Sequence, residues 1–337
     1  MKNEFNFLNK LKIDELKITA PICIPTYKNR AEKSKTCIIR KLDALKDAEI
    51  YLFLYEDDYI ASGYDKLDLN KPNIHLVFLN VDENSTDVNL EKNTIPGRSV
   101  RYKRKFMQMY MEKMNIDLYF MLDDDLDVVG KISCADPNDE RQSKQISLYE
   151  TLAVWEWQHR QENWCLSTVN NPLGTCNPDK PYVSDQIVIQ TYLINGKWFK
   201  EHNVYFQSRD DLNNDVIFSI DTLRAGGSPH KINYLATFLV FTDGNNSLMS
   251  NLQRHKKSTI GSFLYCNGAM KFMYHQDKDL QLTLQKVYPD TWKEFYNYKK
   301  IIDDVLNSGG TPNDAYDECL KTIKPPESGL NDFFEML

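Results

Sequence analysis

An open, mostly parallel α/β sheet with helices on its faces is the fold this sequence predicts, on three observations. Apolar runs and helically spaced segments between residues 18 and 130 read in the order strand, helix, strand, strand, helix, strand. Three of those strands end in polar clusters: Thr26-Tyr27-Lys28-Asn29-Arg30, Glu56-Asp57-Asp58 and Asp123-Asp124-Asp125. Neither a Gly-x-Gly-x-x-Gly turn nor a Walker A sequence is present, so the crevice beyond the strand ends, where ligands of such sheets bind, lacks the two commonest phosphate cradles.

The first strand is Ile18 to Tyr27, broken by Pro25 as it leaves the sheet, and apolar spacing from Ala31 to Asp47 predicts a helix. Glu49 to Tyr55 is the second strand, and Asn70-Lys71-Pro72-Asn73 turns the chain into a third, Ile74 to Leu79. Val81 to Pro96 reads as a long loop, and Gly97 opens a helix from Arg98 to Met114 whose first turns carry Arg98, Arg101, Lys103, Arg104 and Lys105. Asp117 to Leu122 is a short buried strand ending in the three carboxylates.

Beyond it, Ser147 to Arg160 predicts a helix, Trp164 to Val169 a strand, and Asn170 to Pro181 a surface loop. Asn195-Gly196, between Gln186–Ile194 and Trp198–Phe199, predicts a hairpin turn. A helix from about Leu212 to Leu223 closed by Gly226-Gly227, a strand from Ile232 to Phe241, a short helix from Asn246 to His255, a hairpin at Asn267-Gly268, and helices at 277–287 and 290–307 follow. The tail from Ser308 onward is expected to be loosely structured. The expected organisation is a donor-side half over 1–135, a second half of the same domain over 136–275, and a helical extension over 276–337.

With 42% hydrophobic residues and 12% aromatics the chain is globular, and no apolar run is long enough to span a bilayer. Met1-Lys2-Asn3-Glu4-Phe5-Asn6 lacks the apolar core of a signal peptide, so a cytoplasmic location is expected. The seven cysteines form no CxxC pair and are expected to be reduced thiols. A net charge of -7 excludes a protein that coats nucleic acid broadly, while leaving room for a local basic groove.

Side chains alternate along a strand, so Asp123 and Asp125 project to one side and Asp124 to the other. Two carboxylates on one side at a strand end suit a hard cation such as Mg²⁺ or Mn²⁺, whose remaining ligands are water and substrate phosphate. The plainer alternatives are a solvated acidic loop, or carboxylates that cap the next helix.

The Pro25-Thr26-Tyr27-Lys28-Asn29-Arg30 strand end, the acid at the end of the second strand and the DxD-type triplet resemble the nucleotide-sugar half of GT-A-fold glycosyltransferases, over roughly residues 18 to 130. The resemblance implies that Pro25, Thr26, Tyr27 and Arg30 line the nucleoside pocket and that Asp57 or Asp58 faces the base. It implies that Arg98 and Arg101 approach the diphosphate, and that Asp123 and Asp125, beside Asp124, hold metal and ribose. In the second half, Asp210 and Asp211 match the family position where an acid meets the acceptor, with Asp211 the preferred base; both residues also suit the start of the helix that follows. The late histidine that GT-A enzymes often bring to the metal would be His255, with His230 and His275 behind it.

Within that family the chain looks most like phage-type transferases that modify hydroxymethylated pyrimidines in DNA, by its size, its Ile24-Pro25-Thr26-Tyr27 opening, its Gly97-Arg98 helix start and its Asp123 triplet. The resemblance implies a UDP-sugar donor, Mn²⁺ or Mg²⁺, and a DNA acceptor in the host cytoplasm, with Arg254, Lys256, Lys257 and the lysines near Trp292 as candidate backbone contacts. Competing readings are a transferase that builds a surface glycan or modifies a protein, a nucleotidyltransferase, and a non-catalytic calcium- or carbohydrate-binding protein. Oligomeric state is not legible in the sequence.

Overall fold

The computed structural model describes residues 11–26, 35–133, 143–170, 181–188, 191–207, 214–240 and 300–322. The chain divides into two compact units, Met1–Ser208 with Asp221–Asp243, and Arg209–Ile220 with Gly244–Leu337.

The first unit is built on one open, mixed sheet with the order β4-β3-β2-β1-β5-β10-β8-β11-β6-β7 and β9 paired to β11. Its strands are β1 (Ile22–Pro25), β2 (Ile50–Tyr55), β3 (Ile74–Val81), β4 (Thr94–Ile95), β5 (Leu118–Met121), β6 (Leu126–Ser133), β7 (Ser143–Ser147), β8 (Leu166–Asn170), β9 (Tyr182–Ser184), β10 (Tyr192–Asn195) and β11 (Pro229–Leu239). The run β4-β3-β2-β1-β5 is parallel throughout, and β10 then pairs antiparallel with β5. This is the open α/β sheet with flanking helices that the sequence leads one to expect. Strand order changes direction at β1, with β2 and β3 on one side and β5 on the other, and ligands of open α/β sheets bind beyond such a switch point. The central strands are buried on both faces, as their near-continuous apolar runs require.

Helix α1 (Glu56–Ala61) follows β2 with no intervening loop, and its first turn holds Glu56, Asp57 and Asp58, where carboxylates suit the dipole. Helix α2 (Val100–Lys113) is capped by Ser99, whose hydroxyl accepts from the Arg101 amide, so Arg98 lies ahead of the helix instead of inside it. Helix α3 (Leu148–Gln161) opens with a Ser147/Glu150 capping box and packs across the sheet. Gly130 makes that packing possible, because a Cβ there would lie 2.0 Å from Thr151 Oγ1. Buried Glu156 on α3 receives the Thr19 and Ala20 amides at 2.9 and 3.1 Å and pairs with Arg160 at 2.8 Å, fastening the entry to β1.

Several expectations are overturned. No continuous helix runs to Asp47: among the described residues, 35–47 form two 3-10 turns, Ile38–Arg40 and Leu42–Leu45, and Lys46 takes a positive φ of 53°. Tertiary ties override the helical spacing, since Cys37 bridges Asp127 and Thr36 O accepts from the Val128 amide. Asn195-Gly196 is a helix start and not a hairpin turn: the Asn195 side chain accepts from Trp198 N, capping α4 (Gly196–His202). A glycine is needed there because a Cβ would lie 3.0 Å from the Tyr119 ring and 3.1 Å from Ile116 O. The loop at 81–96 contains β4, and the β6-β7 hairpin went unpredicted.

Helix α5 (Asn214–Arg224) follows, and in the second unit residues 300–307 form α6 and Pro312–Thr322 forms α7. The expectation of a loose tail from Ser308 fails at α7, which has Pro312 in its first turn and a Thr311/Asp314 exchange of hydrogen bonds at its start. Ile302, Ala315 and Cys319 form a small buried cluster in that unit. The helices expected at 246–255 and 277–287 and the Asn267-Gly268 hairpin lie outside the described residues, as does the helix expected at 290–307 up to residue 299.

At the amino ends of β8 and β11, the edge opposite the Asp123 triplet, Ser167 Oγ accepts from Trp155 Nε1 at 2.7 Å and lies 2.6 Å from His159 Nδ1. His230 stacks on Trp164 at 4.5 Å. Burial pulls His159 down to about 3, with Arg160 and His230 pushing the same way. The unfolded chain binds this proton from about pH 6.5 and the folded one only near its lowered value, so stability is full above pH 6.5 and falls as pH drops. Urea unfolding at pH 6.5 and pH 5 should show His159 costing about 2 kcal/mol across that interval, and His159→Gln should remove that part of the loss. An identical loss in the variant would contradict the assignment.

Candidate functional site

The carboxyl ends of β1, β2 and β5 converge with the start of α2. Pro25 and Thr26 close β1, and both are buried. Thr26 is held at three atoms. Its amide donates to Phe53 O at 3.0 Å, its hydroxyl bonds the Tyr64 hydroxyl, and its carbonyl accepts from Lys103 Nζ. At the end of β2, Asp57 and Asp58 both pair with Arg98, the Asp58 contact at 3.2 Å. The Arg98 guanidinium also lies 4.6 Å from the Tyr55 ring centroid.

The triplet forms the turn between β5 and β6. Asp123 and Asp125 are partly exposed while Asp124 is only 6% exposed. Its backbone is fastened by Cys37 Sγ donating to Asp124 O at 2.8 Å and by the Val240 amide donating to Asp125 O at 2.7 Å. Arg104 Nη2 donates to Asp123 Oδ1 at 2.9 Å, and the guanidinium lies 5.2 Å from the Tyr192 ring. That pair is largely shielded from water, so its orientation is set by packing as well as by charge.

Arginines at and before the start of α2 therefore meet acids at the ends of β2 and β5. Arg98 faces Asp57 and Asp58, Arg104 faces Asp123, and Lys103 lies between them in the field of Asp124 and Asp58. Burial pulls the Lys103 ammonium down to about 7, against the opposing pull of Asp124 and Asp58. Arg101 is buried on the same helix.

Among the described residues no group of three or more His, Cys, Asp and Glu side chains is placed to hold a metal ion. Asp123 and Asp125 supply two carboxylates, a set that fits Mg²⁺ or Mn²⁺ when water and substrate oxygens complete the shell. Tyr27, Arg30, Asp210, Asp211, His255 and His275 lie outside the described residues, as do Arg254, Lys256, Lys257 and Trp292. His230 lies near the start of β11, stacked on Trp164, whereas it is Val240 just after β11 that bonds the triplet.

Sequence reasoning passed over Tyr55, Tyr64, Lys103 and Arg104 as site residues. The one signal available was the three-residue spacing of Arg101 and Arg104, which puts both on one face of the helix. Nothing in the sequence marks Tyr64 as the partner of Thr26.

No protein-family model matches the chain, and no curated protein matches it. Among solved structures it is similar to Staphylococcus aureus TarS, residues 1–349, at 11% identity and TM-score 0.39, over 66% of this chain and 60% of that one. The same fragment in complex with UDP-GlcNAc gives 12%, 0.40, 68% and 60%, and in complex with UDP 10%, 0.37, 72% and 65%. The chain thus spans less than two thirds of those structures' own length, and a likeness at this level carries no argument about chemistry.

Proposed function

We propose that this chain is a metal-dependent glycosyltransferase that moves a sugar from a UDP-sugar to an acceptor hydroxyl, and that the acceptor is 5-hydroxymethylcytosine in DNA. The observation that carries the first part is the pair of partly exposed carboxylates, Asp123 and Asp125, beside the switch point in the parallel half of a mixed sheet, in a sequence that lacks a glycine-rich phosphate loop. Asp123 and Asp125 would hold Mg²⁺ or Mn²⁺, which would neutralise charge on the departing diphosphate. Pro25, Thr26, Tyr27 and Arg30 would border the nucleoside, Asp57 or Asp58 the base, and Arg98 and Arg101 the diphosphate, with Asp124 among the nucleotide-sugar-binding residues and the ribose held beside Asp123 and Asp125. His255 would complete the metal shell. In the transfer the acceptor oxygen bonds the anomeric carbon, the bond from that carbon to the UDP oxygen breaks with its electron pair leaving on UDP, and the acceptor proton passes to Asp211, with Asp210 beside it.

The DNA acceptor is supported by the resemblance carried by Ile24-Pro25-Thr26-Tyr27, Gly97-Arg98 and the triplet, and by the chemistry of the hydroxymethyl group, a primary alcohol on an abundant polymer. No described helix is long and apolar enough to cross a membrane. With a net charge of -7, the backbone must be met by a local basic run, and Arg254-His255-Lys256-Lys257 is the strongest in the second half. Base extrusion would bring the hydroxyl to the site.

The test is to incubate duplex DNA containing 5-hydroxymethylcytosine, beside unmodified duplex, with Mn²⁺ and a panel of UDP-sugars, and to weigh the nucleosides after digestion. A hexose or pentose increment on the hydroxymethylated base alone supports the acceptor. No increment with any donor, while UDP is still released by hydrolysis, rejects it and leaves a glycan or protein acceptor.

A further inference from the structure

We propose that Lys103 and Tyr64 are positioning residues for the donor nucleotide, acting through Thr26, the residue that follows β1. The inference rests on the donor-site reading above and extends it to two residues which that reading does not use.

Thr26 directly follows β1, and its amide donates to Phe53 O of β2 at 3.0 Å. Two side chains hold its other polar atoms. Lys103 Nζ donates to Thr26 O and reaches Phe53 O at 3.4 Å, so one ammonium bridges the carbonyl just after β1 and one inside β2. The Tyr64 hydroxyl, fully buried, holds the Thr26 hydroxyl.

The same ammonium lies 3.8 Å from the Tyr55 ring, and Arg98 lies 4.6 Å from that ring while it pairs with Asp57 and Asp58. Lys103 thus sets the end of β1, the end of β2 and the ring on which Arg98 rests. It is 2% exposed, which puts its head out of reach of a ligand and makes any effect on binding indirect.

Stability alone does not account for a cation in this position. Burying an ammonium costs several kcal/mol, and replacing a buried ion with an apolar side chain of like volume is often neutral or stabilising. If the residue served only the core, Lys103→Met would keep the length of the side chain and lose nothing that a ligand detects. A positioning role separates the two readouts: the melting temperature holds while the affinity for nucleotide falls.

The experiment is calorimetric titration of UDP with Mn²⁺ into the full-length wild type, Lys103→Met and Tyr64→Phe, with a thermal melt of each. Lys103→Met should weaken UDP binding by about tenfold, and Tyr64→Phe, which deletes one hydroxyl, by about threefold to fivefold. Melting temperatures should stay within a few degrees of wild type. Wild-type affinity in a folded Lys103→Met overturns the inference alone. If Lys103→Met does not fold, Tyr64→Phe decides: unchanged affinity there overturns it. Failure of the wild type to bind UDP overturns the donor-site reading, and the inference with it.

Discussion

Asp125→Asn should reduce sugar transfer by at least about a thousandfold, because it removes one of two ligand charges from the cation that stabilises the departing diphosphate, a contribution of several kcal/mol. The substitution is isosteric and the side chain is partly exposed on the turn after β5. The turn itself is held through backbone atoms, by Val240 on Asp125 O and Cys37 on Asp124 O. Folding stability should therefore stay within about 1 kcal/mol of wild type. Steady-state transfer measured beside a chemical-denaturation curve separates the outcomes. A variant that transfers sugar at the wild-type rate removes the metal assignment, and one that loses activity and stability together makes the triplet a structural turn.

Asp211→Asn should slow transfer to acceptor by about a hundredfold to ten-thousandfold, the usual contribution of a positioned general base, while UDP-sugar affinity is retained. The expectation follows from the sequence position of Asp210 and Asp211 ahead of α5. The same position suits two carboxylates that simply start a helix. The kinetics distinguish the roles. A base leaves donor binding untouched and lowers the turnover number. A cap lowers donor binding, turnover and melting temperature together, and that pattern would reassign the pair.

The parallel half of the fold was legible because its strands are buried on both faces, and an unbroken apolar run such as Leu118 to Met121 has few other readings. What the pattern could not carry was information held in distant contacts. Residues 35–47 have helical spacing, yet Cys37 and Thr36 are claimed by the strand after the triplet, so the segment folds as 3-10 turns. Asn195-Gly196 has the composition of a hairpin turn, yet the asparagine caps a helix and the glycine makes room for Tyr119. In the site, the three carboxylates following a buried strand could be read from the sequence. The matching of Arg98 to Asp57 and Asp58, and of Arg104 to Asp123, could not, because it depends on how α2 lies over the strand ends.

The central claim is that these strand ends bind and cleave a sugar nucleotide, and the most direct measurement is nucleotide release by the full-length chain with Mn²⁺. UDP-sugars, other sugar nucleotides and nucleoside triphosphates should be offered in parallel. The account predicts UDP from one or more UDP-sugars, no pyrophosphate from any triphosphate, and loss of the signal when the cation is chelated. Pyrophosphate from triphosphates would identify a nucleotidyltransferase instead, and silence with every donor would leave the carboxylates as ligands in a protein that performs no transfer.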